Sequence, residues 1–119
     1  MIEKISISEA DATALKILLR RLKDLLGDLM LEAVLFGSKA RGDDHSESDI
    51  DVLIVIGADS WEIKDQVLGI GADVSLEQDV LFNLFVRPKE RWDYMATIRY
   101  PLWQSIHQDG LDLLADSES

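Results

Sequence analysis

Hydrophobic residues fall along the chain in two patterns, one with the spacing of a helix and one typical of buried strands. Between positions 8 and 26, leucines recur every three or four residues, which predicts a helix with one apolar face. Ser8 suits its N-cap, with Asp11 at the capping-box position, and Gly27 is expected to end it. Three short apolar runs, at 31–36, 49–56 and 80–86, predict strands.

The remaining pattern predicts three more helices and a small edge strand at 111–114. Ser60 can cap a helix over 61–78, a second helix covers 89–98, and Pro101 opens a third that Gly110 ends. The order helix, strand, strand, helix, strand, helix, helix predicts an α+β fold with a mixed β-sheet and helices packed on one face. We expect a single domain spanning 1–119, with a disordered tail at 116–119.

Charge and composition narrow the class of partner. The 119-residue chain has a formal net charge of -11, which repels a polyanion, so duplex nucleic acid is not expected as a partner. A basic protein, or a nucleotide handled with a divalent metal, is compatible with this charge. The chain has no cysteine and no apolar run long enough to span a bilayer, and we expect a soluble, cytoplasmic protein.

Two aspartates stand at the start of the second predicted strand. Asp49 and Asp51 are two residues apart, so on a strand both carboxylates point to the same face while Ile50 points to the other. Two like charges partly withdrawn from water repel each other unless a cation lies between them, and Mg²⁺ is a cation that carboxylates hold together with phosphate oxygens. An isolated pair of this kind would more often be a solvated start of a strand.

The loop before these aspartates has the residues of a phosphate-binding turn. Gly37 allows the backbone to approach a ligand closely, and Ser38 offers a hydroxyl and an N–H to a phosphate. Lys39 and Arg41 add positive charge, although loop cations are often only solvated. A phosphate cradle and a metal site at the two ends of one loop could align a triphosphate for in-line attack, which indicates phosphoryl or nucleotidyl transfer.

The spacing of these residues resembles a known family signature. Gly37-Ser38, ten further residues and then Asp49-Ile50-Asp51 resemble the G-S-x10-D-x-D signature of the DNA polymerase β-like nucleotidyltransferase superfamily, in its minimal (MNT) type. The resemblance implies a polymerase β-like palm fold, Mg²⁺ bound by Asp49 and Asp51, and an ATP triphosphate seated by Gly37 and Ser38. It places Arg41, and less directly Lys39, beside the nucleotide.

Members of this superfamily usually add a third carboxylate from a neighbouring strand. In the third predicted strand the central polar residue is Asn83, and Asp79 lies just before the strand on the same alternation. We nominate Asp79 as the third catalytic carboxylate. Asp73 is a competing candidate, and a third carboxylate could be missing altogether.

The resemblance also implies a biological role. Small MNT proteins resemble the antitoxin of HEPN/MNT toxin–antitoxin pairs, in which AMP is transferred from ATP to a tyrosine of the HEPN ribonuclease toxin and silences it. The partner implied is therefore a HEPN-type toxin in a hetero-oligomer. Two alternatives stay open: a degenerate antitoxin that acts by occlusion alone, and a nucleotidyltransferase that acts on a small molecule.

A basic cluster and three tryptophans are left outside this assignment. The basic residues are interleaved with acidic ones, which is typical of a solvated surface, although an acidic partner or RNA could also bind there. The tryptophans are expected to be core or interface anchors. The residues concerned are Arg87, Lys89, Arg91 and Arg99, and Trp61, Trp92 and Trp103.

Overall fold

The computed structural model of the protein describes residues 7–42 and 49–115, and the tail predicted to be disordered, 116–119, lies outside them. This part of the chain contains five helices and four strands. In chain order they are α1 (Glu9–Leu26), a 3₁₀ turn (Gly27–Leu29), β1 (Met30–Phe36), α2 (Ser38–Arg41), β2 (Ile50–Ile56), α3 (Trp61–Gln78), β3 (Phe82–Pro88), α4 (Lys89–Thr97), α5 (Pro101–Asp109) and β4 (Leu111–Asp112).

The strands form one mixed sheet in the order β3-β2-β1-β4. β2 runs antiparallel to β1 and parallel to β3, and β4 adds a short antiparallel pair at the other edge of β1. α3 is the crossover that parallel pairing of β2 and β3 requires. The predicted α+β class and mixed sheet are confirmed.

The first helix forms as its sequence predicts. The Asp11 N–H donates to Ser8 Oγ at 3.0 Å, and Gly27 ends the helix at a positive φ of 52°. The predicted apolar face is buried except at Leu25, which is 40% exposed. Local capping and periodicity were therefore sufficient to locate α1.

The third strand lies two residues later than predicted, at Phe82–Pro88 instead of 80–86. Its start is set by a tertiary contact, in which the Phe82 N–H donates to Ser75 Oγ of α3 at 3.2 Å. Pro88 can belong to it because β3 is an edge strand, where a missing N–H costs no ladder hydrogen bond.

Helices cover both faces of the sheet, which corrects the prediction that they pack on one face. One buried cluster joins α1 and α3 to the sheet, and a second joins α4 and α5 to its opposite face. The reason is β2, whose sequence IDVLIVI is apolar at both alternations after Asp51, so it must be buried from both sides. Among the described helices, none has the length and apolar character to cross a membrane.

Two glycines in α3 are expected to respond differently to replacement by alanine. A Cβ at Gly69 would meet no atom within 4 Å, whereas a Cβ at Gly71 would lie 2.6 Å from Leu84 Cδ1 of β3. We expect Gly69→Ala to raise the free energy of unfolding by about 0.5–1 kcal/mol, because alanine is the better helix former. Gly71→Ala should gain clearly less, since Leu84 must move, and urea unfolding of both variants measures the difference. Equal gains at the two positions would contradict this packing of α3 on β3.

Candidate active site

The end of β1 and the start of β2 meet because the two strands are antiparallel neighbours. Phe36, the last residue of β1, is the register partner of Asp51. Gly37 follows Phe36 directly, and Asp49 directly precedes β2. The two ends of the loop that the sequence singled out are therefore brought together by the sheet itself.

Gly37 lies against the Asp51 side chain in a conformation that favours glycine. Its φ is 79° and its ψ is -158°, and an added Cβ would overlap the Oδ2 atom of Asp51. The Gly37 carbonyl then accepts the N–H groups of Ala40 and Arg41, both at 3.1 Å, and so starts the four-residue helix α2 at Ser38. Only a residue without a side chain allows this turn to close on the carboxylate.

Asp51 is held by β3 on its other side. Asn83 is its register partner in the parallel pair β2–β3, and Asn83 Nδ2 donates to Asp51 Oδ1 at 3.2 Å. The pKa of Asp51 is raised, first by burial and then by the charge of Asp49. The hydrogen bond from Asn83 and the charge of Arg41 lower it in part. Asn83, Asp49 and Arg41 thus all act on the Asp51 carboxylate, and its burial makes the charged form unfavourable.

The two cations of the sequence motif, Lys39 and Arg41, point to different places. Arg41 is exposed, and its Nη1 lies 3.6 Å from Asp109 Oδ2 of α5 while its charge also reaches Asp51. Lys39 is only 1% exposed, and its Nζ donates to Asp11 Oδ2 of α1 at 2.7 Å. The ammonium of Lys39 ties α2 to α1, since a buried cation needs a buried counter-ion, and its assignment as a nucleotide-binding residue stays a prediction.

Among the residues that the structure describes, no third carboxylate joins Asp49 and Asp51. Asp79 is the exposed C-cap of α3, in a left-handed conformation with φ of 54°, and its assignment as a catalytic group stays a prediction. Asp73 lies close to Arg21 of α1 instead. The pKa of Arg21 is raised chiefly by its hydrogen bond to Glu77, and further by the charges of Glu77 and Asp73. Within residues 7–42 and 49–115, no three acidic, histidine or cysteine side chains cluster as a metal site.

The arrangement offers oxygen ligands from two carboxylates beside a glycine turn. Oxygen ligands of this kind suit a hard divalent cation such as Mg²⁺, which usually takes one or two carboxylates and completes its shell with water and phosphate. Asn83, which sequence reasoning noted without assigning a role, orients one of the two carboxylates. Its signal in the sequence is a single polar residue within the apolar run 80–86.

Comparison with known proteins connects this geometry to a family. A family model described as "Nucleotidyltransferase domain" matches residues 15–106. Two proteins of Methanocaldococcus jannaschii are similar over most of their length: "Putative protein adenylyltransferase MJ0141" is 33% identical over 75% of this chain and 84% of its own, and "Putative protein adenylyltransferase MJ0604" is 36% identical over 82% of this chain and 91% of its own.

Among solved structures, a chain of the crystal structure of "the toxin-antitoxin with AMP-PNP" superposes with a TM-score of 0.52. The match covers 81% of this chain and 69% of that chain at 21% identity. A likeness at this identity extends to the fold alone.

Replacing Gly37 by alanine should remove nucleotidyl transfer with little effect beyond the site. The new Cβ would displace the Asp51 carboxylate, and misplacing a reacting group by about 1 Å can lower a rate roughly 100-fold. The matched control is Gly27→Ala, which has the same positive-φ strain but no atom within 4 Å. Both variants should lose about 1–3 kcal/mol of stability, because alanine disfavours the positive φ at either position, and only Gly37→Ala should lose activity. A Gly37→Ala protein with normal turnover would contradict the placement.

Asp51→Asn should stabilise the metal-free protein at neutral pH. Because burial raises the pKa of Asp51, the stability linked to its protonated form is full below the ordinary Asp pKa of about 4 and is lost as pH rises through the raised pKa. We expect the variant to have a Tm a few degrees above wild type at pH 7, with the difference vanishing near pH 3. Asp65→Asn, on the exposed side of α3, removes the same charge and should leave Tm unchanged. A difference in Tm between Asp51→Asn and wild type that is the same at all pH values would rule out the titration of Asp51 as its cause.

Proposed function

Since this chain belongs to the nucleotidyltransferase domain family, we propose that it is a protein adenylyltransferase that moves AMP from ATP to a side chain of a partner protein. The observation on which the proposal rests is the contact of the Gly37 turn with the Asp51 carboxylate, which puts a phosphate-binding backbone beside a carboxylate pair. The names of the two archaeal relatives support the choice of a protein as acceptor.

Mg²⁺ fits the residues present. The pKa of Asp51 is raised by burial and, in smaller part, by the charge of Asp49, so a divalent cation between the two carboxylates would relieve an unfavourable charge arrangement. We propose Asp49 and Asp51 as its ligands, with Asn83 keeping one Asp51 oxygen in place. When bound, the ion would neutralise the triphosphate and polarise its α-phosphorus.

The protein's own groups would bind and orient the ATP. Gly37 and Ser38 begin a turn whose first N–H groups are available to a phosphate, because the first N–H groups of a helix have no partner inside it. Arg41 lies beside Asp51 on the exposed side and would neutralise charge on the leaving pyrophosphate. In the transfer, the acceptor oxygen would bond to the α-phosphorus as the bond to the pyrophosphate oxygen breaks, and the acceptor hydroxyl would lose its proton to solvent.

We propose a HEPN-type ribonuclease toxin as the partner and one of its tyrosines as the acceptor, which makes this protein an antitoxin. The family signature and the fold shared with a chain of a toxin–antitoxin crystal structure support this choice. One observation favours the alternative of neutralisation by occlusion: Asn83, on the strand beside Asp51, occupies a position where a carboxylate would be a third catalytic group. Asparagine cannot serve there as a base at neutral pH.

The test is transfer of labelled AMP. Incubation with α-labelled ATP, Mg²⁺ and the candidate HEPN protein should add AMP to the HEPN protein, with the modified tyrosine located by mass spectrometry. Asp49→Ala with Asp51→Ala should reduce labelling at least about 1,000-fold, because both proposed metal ligands are lost. The control is Asp24→Ala with Asp28→Ala, which removes two exposed acidic charges at the other end of β1.

The outcomes separate the two functions. Labelling that survives the double change at 49 and 51 would refute the proposed site. If the same double variant protects cells from the toxin as well as wild type does, occlusion accounts for the neutralisation and transfer is dispensable.

A further inference from the structure

The structure contains a second concave site at the end of the sheet away from Gly37 and Asp51. Its volume is about 480 Å³, and it opens where β2 and β3 end, with Ile56 and Val86 in its wall. Asp51 is five residues before Ile56 on β2, which places the two sites roughly 17 Å apart along the strand. We refer to it as the basic cavity.

Positive charge is concentrated in the basic cavity although the chain as a whole is strongly acidic. Lys64, Arg87 and Arg91 line it, and Asp59 is the carboxylate that lines it with them. The chain has a net charge of -11, so a locally positive wall is contrary to its composition. Three cations sharing one cavity repel one another, and such an arrangement is expected where an anion binds.

Within the described part of the chain, the side chains of these cations form no ion pair. Arg87 donates from Nη1 to the Val86 carbonyl at 2.9 Å, whereas the side chains of Lys64 and Arg91 form neither a hydrogen bond nor an ion pair there. The contrast is Lys89, one residue outside the cavity wall, whose Nζ lies 2.7 Å from Asp93. Guanidinium groups present paired donors that match phosphate oxygens.

Two exposed aromatic side chains complete the wall. Trp61 is 76% exposed and Tyr100 is 47% exposed, so of the two roles predicted for Trp61, core or interface anchor, the first is excluded. Exposed indole and phenol rings beside cations suit a ligand that has a flat ring and an anionic group. The volume falls within the range of pockets for small ligands, roughly 300–1,000 Å³.

We propose that the basic cavity binds a phosphate-bearing ligand of mononucleotide size, with its phosphate on Arg87, Arg91 and Lys64 and its ring against Trp61 or Tyr100. A long nucleic acid is disfavoured because the net charge of -11 repels a polyanion outside this patch. An acidic peptide could pair with the cations, but it has no flat ring to stack on the two aromatic side chains. The site is separate from the proposed transfer site, and the inference does not depend on that activity.

The experiment measures binding of AMP and of inorganic pyrophosphate by calorimetry, with the full chain in EDTA so that no metal supports the Gly37–Asp51 site. Arg87→Gln with Arg91→Gln should weaken both ligands at least tenfold, and Arg87→Lys with Arg91→Lys should retain most of the affinity. Trp61→Ala should weaken AMP but not pyrophosphate. Arg20→Gln with Lys23→Gln removes two exposed cations of α1 as the matched control and should have no effect.

Other results would overturn the proposal. If Arg41→Gln weakens binding while the change at 87 and 91 does not, the ligand occupies the Gly37–Asp51 site and the basic cavity is only a solvated surface. If Trp61→Ala and Tyr100→Ala leave the preference for AMP over pyrophosphate unchanged, the ring has no place in the cavity. Binding of a glutamate-rich peptide in place of both ligands would identify a protein-docking surface instead.

Discussion

The contact between the Gly37 backbone and the Asp51 carboxylate is the constraint on which the candidate active site depends. It follows from strand register, because Phe36 pairs with Asp51 and the chain must turn at the next residue. The same register sets Asp49 at the rim and starts α2 at Ser38. A shift of one residue between β1 and β2 would turn Asp51 to the opposite face of the sheet, into the leucine-rich cluster beneath α1.

The buried sheet explains how the site can hold such a contact. Apart from Asp51, β2 is buried on both faces, with α1 and α3 on one side and α4 and α5 on the other. A strand packed in this way has little freedom to move. The raised pKa of Asp51 shows what this packing costs, because burial disfavours the charged carboxylate. The fold nevertheless keeps the side chain in place.

Local sequence signals predicted much of the fold and the centre of the site, and long-range packing decided the rest. Ser8 and Gly27 bound α1 where the pattern placed them, and the spacing of Gly37 and Asp51 predicted their proximity. The pairing of Asn83 with Asp51 depends on a parallel register across an 18-residue helix, which no local pattern specifies. The contact of Lys39 with α1 could not be predicted for the same reason, since Asp11, to which its ammonium donates, is 28 positions away.

The pair of Lys39 and Asp11 also restricts how this sequence can change. Both side chains are nearly excluded from water, and the ammonium of Lys39 neutralises the Asp11 carboxylate, so loss of Lys39 leaves a nearly buried carboxylate without this cation at a cost of about 3–5 kcal/mol. Replacing both by apolar residues of similar volume is far less damaging. The two positions are therefore expected to change together in descendants of this sequence. A protein in which only one of the two has changed is expected to be less stable.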